Sequence, residues 1–267
     1  MFLIKMAAKI TTIRGKKAVD RTMDYENLFP EDFEKLDKKV IFLPLGTLEW
    51  HGAQLPFGTD MFVAHEVCKK VARKTKGAIL PPLWIGTDIE EVRRGKKFQG
   101  FETRTNCTLK GSVYYADSEI FYEVINSLAT QIEKNGFRIL VIISGHGSSP
   151  QLSVLRRIQD EINRDSKREI RILFPEFKNM IKLNARHADY IETSIFWHLR
   201  RDFIKKSKNT KFSNDILIRI RGDEPRKKAS AKFGRRILAS TVDEIAEEIN
   251  KMKQSLIAQE PQNIRSA

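Results

Sequence analysis

Phe137-Arg138-Ile139-Leu140-Val141-Ile142-Ile143, followed at once by Ser144-Gly145-His146-Gly147-Ser148-Ser149-Pro150, is the stretch that decides the fold. Its apolar run is nearly continuous rather than alternating, as a strand needs when both faces of a parallel sheet are covered. The glycine-rich turn leads into a helical pattern from about Gln151 to Asn163. Upstream, Ser118 to Lys134 reads as a helix closed by Asn135-Gly136.

The same alternation extends in both directions. Val40-Ile41-Phe42-Leu43-Pro44-Leu45 reads as a second buried strand, ended by Gly46. Asp60 to about Lys74 reads as a helix with Met61, Ala64, Val67, Cys68 and Val71 on one face. Ala78-Ile79-Leu80 and Ile170 to Phe174 are further strands, stopped by prolines 81, 82 and 175. Helices are expected from Tyr190 to about Phe203 and from Val242 to about Ile257, with a short strand at Ile216 to Ile220. Residues 258–267 read as a frayed tail. Strands alternating with helices predict an α/β fold with a mostly parallel sheet. One domain is expected across residues 1–267, its core at about 38–205. The polar stretch 84–110 is too long for an ordinary connection and reads as a functional loop or an insertion.

Composition narrows the function classes. With 41% hydrophobic residues the chain can build a sizeable core. The apolar start at Met1 to Ile4 is too short for a signal peptide, and no run approaches a membrane span. Cys68 and Cys107 lack metal or redox spacing, which suits a reduced cytoplasmic setting. The net charge of +14 admits a non-catalytic protein that binds nucleic acid or another polyanion. However, the basic residues are scattered among 34 acidic ones and accompany no nucleic-acid-binding motif. Specific nucleic-acid binding is therefore not expected.

Chemistry concentrates in Gly46-Thr47-Leu48-Glu49-Trp50-His51-Gly52-Ala53-Gln54-Leu55-Pro56-Phe57-Gly58-Thr59-Asp60, which runs from a strand end to a helix start. Glu49 and His51 are expected to face opposite sides of the chain and so to feed two neighbouring metal ions. Asp60, one loop later, is placed to bridge both. His146 follows another central strand, and ligands of open α/β sheets gather beyond the carboxyl ends of the strands. Imidazoles and carboxylates without thiolate suit Zn, Mn or Fe(II). Taken singly, each residue has a plainer role: Asp60 as a helix cap, Glu49 on the surface, His51 and His146 as loop residues. His65 and His198 fall inside helices and read as packing or surface residues.

Three segments resemble the creatininase (creatinine amidohydrolase) family. Leu45 to Gly52 with Leu55 to Asp60 is similar to its leading motif. Ser144-Gly145-His146-Gly147 is similar to its second, usually Asn-Gly-His-Gly, and His187-Ala188-Asp189-Tyr190-Ile191-Glu192-Thr193-Ser194 to its third. The resemblance spans roughly residues 38 to 200 in family order. It implies a three-layer α/β/α fold, a homo-oligomer that is often a hexamer, and two divalent ions per chain. Glu49, Asp60 and His146 would hold one ion, and His51 with Asp60 the other. A glutamate that completes the second ion's ligand set in the family is Ser148 here, so Glu192 is the expected replacement. His187 matches a histidine placed to move protons at the substrate, with Glu192 as the alternative.

The resemblance further implies metal-assisted hydrolysis of a small cyclic molecule. Candidates are a cyclic amide, a formamide, or a cyclic diketone of inositol catabolism such as 3-dehydro-scyllo-inosose. Trp50, Gln54 and Ser148 are the expected substrate-binding residues. Gln54 stands where the family usually has histidine, and Phe98-Gln99-Gly100 only echoes its Phe-Pro-Gly-Thr.

Overall fold

The computed structural model describes residues 24–105, 107–209 and 224–259. Its main sheet is wholly parallel, with β1 (Val40–Gly46) and β6 (Ile139–Ser144) at the centre. β2 (Ala78–Ile79) and then β3 (Leu83–Trp84) pair with successive parts of β1, and β7 (Arg171–Leu173) pairs with β6 on the other edge. A separate antiparallel hairpin, β4 (Glu90–Arg93) and β5 (Lys96–Gln99), lies within the stretch read as a loop or an insertion.

Side chains alternate across a strand, so the two central strands feed two cores. Val40, Phe42, Ile139, Val141 and Ile143 meet α1 (Thr59–Thr75), α4 (Tyr190–Leu199) and α5 (Ala231–Gln259) on one face. Ile41, Leu43, Leu45, Leu140 and Ile142 meet α2 (Ser118–Lys134) and α3 (Ser149–Arg164) on the other. Phe42 is wholly buried, and truncating such a side chain to alanine costs about 3–5 kcal/mol. The α/β/α layering follows from strands that are apolar on both faces.

Two expectations need correction. The helix read from Tyr190 to Phe203 stops at Leu199; Arg200 leaves helical geometry and a 3-10 turn follows at Arg201–Phe203. The last helix starts at Ala231, eleven residues before the expected Val242, and runs on to Gln259. Its first turns are held by tertiary contact, with Gly234 so close to α4 that a Cβ would lie 1.9 Å from the Ser194 carbonyl oxygen. The expected strand at 216–220 and the tail beyond 259 lie outside the described residues.

The register of the central pair decides where the chemistry falls. β1 and β6 match residue for residue from Val40↔Ile139 to Leu45↔Ser144. The two strands therefore end together. The segments carrying Glu49 and His51, and the one carrying His146, leave the sheet at the same edge.

Candidate metal centre

The N-terminus of α1 is pressed onto that edge. Gly145 follows β6 so closely packed that a Cβ there would lie 2.0 Å from the Asp60 carbonyl oxygen. Asp60 is not the helix cap. Gly58 holds that position without a side-chain hydrogen bond, and the Asp60 carboxylate turns instead toward the two histidines.

The carboxylate divides between them. Asp60 Oδ1 lies 2.9 Å from His51 Nε2, and Asp60 Oδ2 lies 3.4 Å from His146 Nδ1. Glu49 Oε1 is 3.1 Å from His146 Nδ1, and Glu192 Oε1 is 3.7 Å from His51 Nε2. Glu49, His51, Asp60 and His146 are all at most 5% exposed. The expectation that Glu49 and His51 face opposite sides is wrong. Residues two apart in extended chain share a side, and here Glu49 Oε1 comes within 3.7 Å of His51 Nε2.

Each imidazole has one nitrogen turned away from the cluster toward an oxygen. His51 Nδ1 donates to the Glu49 carbonyl at 2.9 Å, which leaves Nε2 as the nitrogen that faces Asp60. His187 Nε2 donates to the Trp50 carbonyl at 2.6 Å, which leaves Nδ1, 3.3 Å from Glu49 Oε1. His146 Nε2 lies 3.3 Å from Asp88 Oδ2.

Electrostatics couples these groups. Burial alone would raise the Glu49 carboxyl, but His187 and His146 override it and hold it well below the usual carboxylate range. Burial would lower both His51 and His146. The charges of Asp60 and Glu192 raise His51 well above its ordinary value instead, and Glu49 does the same for His146. Burial also opposes ionisation of Glu192, whose carboxyl is nevertheless lowered by His51.

The remaining expected residues take different places. Glu192 is set by α4, whose cap Asp189 accepts from the backbone N–H of Ile191 and Glu192. Its second oxygen accepts from the Ala188 N–H. His187 and Glu192 both line a cavity of about 400 Å³ together with Glu49 and His146, a volume suited to a small molecule. Ser148 also lines it, although its hydroxyl donates to the Thr87 carbonyl and accepts from Gln151 N–H at the start of α3. Gln54 is buried behind the site and donates to the Ala188 carbonyl. Trp50 stacks on Phe101, which in turn lies against His187.

Two residues went unnoticed in the sequence. Asp88 faces His146, and the Tyr115 hydroxyl donates to Glu49 Oε2 at 2.9 Å. Both lie in or just beyond the polar stretch 84–110. A backbone bond ties this region to the first motif, Val113 N–H donating to the Leu48 carbonyl, and within the region Gly86 pairs with Tyr114 and Ala116.

The donor set fits divalent metal. Tetrahedral sites with bonds near 2.1 Å have ligand atoms about 3.4 Å apart, close to the 3.1 and 3.4 Å at which Glu49 Oε1 and Asp60 Oδ2 approach His146 Nδ1. Asp60 Oδ2 is buried without a hydrogen-bond partner, an arrangement that costs stability unless something else satisfies it. Among the described residues, three groups of acidic and histidine side chains have ligand atoms close enough to share an ion: Glu49–His51–His187, Glu49–Asp88–His146 and His51–Asp60–Glu192.

A model of the creatinine amidohydrolase (creatininase) family matches residues 26–249. The chain belongs to the creatininase family. Among its curated relatives, a creatinine amidohydrolase of Pseudomonas putida is 31% identical over 108 residues, 40% of this chain and 37% of that protein. A 3-dehydro-scyllo-inosose hydrolase of Thermotoga maritima is 27% identical over 108 residues, 40% of this chain and 30% of its own length. The matched stretch thus spans about a third of each curated relative. Solved creatininase structures share the fold. One described with manganese superposes with a TM-score of 0.66 at 20% identity, covering 86% of this chain and 98% of that one. A putative creatinine amidohydrolase from Bacteroides fragilis gives 0.64 at 18% identity, covering 91% and 99%.

Proposed function

We propose that this creatininase-family chain is a metal-dependent hydrolase of a small cyclic substrate. Glu49, Asp60 and His146 would hold one divalent ion, through Oε1, Oδ2 and Nδ1. His51, Asp60 and Glu192 would hold a second, through Nε2, Oδ1 and Oε1. Divalent ions held there would supply Lewis-acid polarisation of a carbonyl and acidify a water. The observation that carries this reading is the Asp60 carboxylate, whose two oxygens face two different imidazoles.

The chain's own groups supply the rest. His187 keeps Nε2 on the Trp50 carbonyl, so Nδ1 is the atom left to move a proton between nucleophile and leaving group. Phe101 beside it closes one wall of the cavity with an apolar ring. The substrate is a cyclic amide, a formamide, or a cyclic diketone of the 3-dehydro-scyllo-inosose type. The two named relatives support the amide and the diketone alike, and the reading includes a cytoplasmic homo-oligomer.

The test pairs metal analysis of the dialysed protein with turnover of a panel of cyclic amides, formamides and inosose derivatives. One to two equivalents of Zn, Mn or Fe per chain and turnover of one class are expected. A metal-free protein that binds a nucleic acid selectively at physiological salt would establish the polyanion-binding alternative instead.

A further inference from the structure

Asp88 comes from outside all three family-like segments, yet it reaches the centre. Its Oδ1 accepts from the Ile89 N–H at 2.7 Å, which fixes the carboxylate plane. Its Oδ2 is left to face His146 Nε2 at 3.3 Å. Among the described residues that buried nitrogen has no hydrogen-bond partner, and the Asp88 carboxylate is the charged group that faces it. Behind the carboxylate lies Gly100, with φ +60°, where a Cβ would sit 2.8 Å from Asp88 Oδ2. The turn after β5 thus leaves room at a glycine for the Asp88 carboxylate, with the Tyr115 hydroxyl beside it.

His51 supplies the internal comparison. Its Nδ1 is committed to a carbonyl and its Nε2 faces the other ligands. His146 is the mirror case, with Nδ1 facing Glu49 and Asp60, and Nε2 facing Asp88. A ligating histidine generally donates its other N–H to a carboxylate or a carbonyl, which sets the tautomer and the ring orientation.

We propose that Asp88 is the positioning residue for His146: it accepts the Nε2 proton and so presents Nδ1 to the ion shared with Glu49 and Asp60. This rests on the two-ion reading above. It gives the 84–110 stretch a role as an outer support of the metal centre.

The experiment is zinc titration of the full chain, wild type against Asp88→Asn and Asp88→Ala, with fold checked by circular dichroism. Loss of such outer partners costs about 10–100-fold in metal affinity. The expected result is that fold-weakening for one of two ions, with both still bound at saturating zinc. In the zinc-loaded wild type, nitrogen-edited NMR should show a His146 Nε2–H proton, displaced in Asp88→Asn. Loss of one equivalent at saturation would make Asp88 a ligand and overturn the positioning role. Unchanged affinity and an unchanged Nε2–H signal would overturn it too. A wild type that binds no zinc would instead remove the underlying two-ion reading.

Discussion

On the His51 side of the centre, the groups that orient the ligands come from the ligand segments themselves, whereas on the His146 side they come from a distant stretch. His51 is fixed by the Glu49 carbonyl two residues away, and Glu192 by the Ala188 N–H on the preceding turn. His146 faces Asp88, and Glu49 takes a hydrogen bond from Tyr115. Short-range backbone partners are present whenever the segment folds. Long-range side-chain partners depend on the 84–116 region docking correctly, and can be removed one at a time without touching a ligand. The His51 side should therefore resist mutation outside its motifs, and the His146 side should not.

Asp60 is the point where this difference vanishes, because it serves both sides. Asp60→Ala should remove most of the bound metal, lowering the content measured by elemental analysis from up to two equivalents toward zero. Retention of full metal content would sink the bridging role.

The next effect is confined to one side. Glu192→Gln should cost about one equivalent, from the His51 side. His187→Asn should keep the metal and lower turnover, by about 100-fold or more if the imidazole carries the proton. The reverse pattern would show that the two roles are exchanged.

Acidity separates the sides less sharply. In chelator-treated protein both His51 and His146 are raised above about 6.5, so the stability they contribute is present below that pH and lost as pH rises through their folded values. Glu49 and Glu192 are lowered, and their contribution is lost only as pH falls below about 4.5. Metal binding needs neutral imidazole and works in the opposite direction. The Tm of the stripped protein should fall from pH 6 to 8.5, while the Tm gained on adding zinc grows. A stripped protein that becomes more stable over that range would contradict the assignment.

What the sequence made legible follows the same division. The central strands were readable because runs such as Ile139 to Ile143 are apolar at every position, and their shared register placed Glu49, His51 and His146 together. Asp60 was readable because it begins a strongly patterned helix. Asp88 and Tyr115 were not, because no periodicity governs their stretch. Its course is set by bonds such as Val113 to Leu48, between residues far apart in sequence. The start of α5 was hidden for a related reason. Lys232, Gly234, Arg235 and Arg236 break the apolar pattern there, and packing on α4 holds the turns instead.

The smallest effect tests the comparison most finely. Tyr115→Phe removes one hydroxyl and almost no volume, and leaves every proposed ligand in place. The lost bond is the 2.9 Å donation to Glu49 Oε2, the oxygen not facing His146. A hydrogen bond to a charged group is worth about 1.5 kcal/mol at the low end, roughly tenfold in an equilibrium constant. Part of that is recovered when water reaches the freed oxygen, so a weakening of about three- to tenfold is expected for the His146-side ion. The His51-side ion should keep its affinity, since His51 is held by the Glu49 backbone rather than by its carboxylate. Isothermal titration with zinc resolves the two steps. Equal weakening of both ions would mean that Glu49 is shared between them and that the two sides are not separately supported.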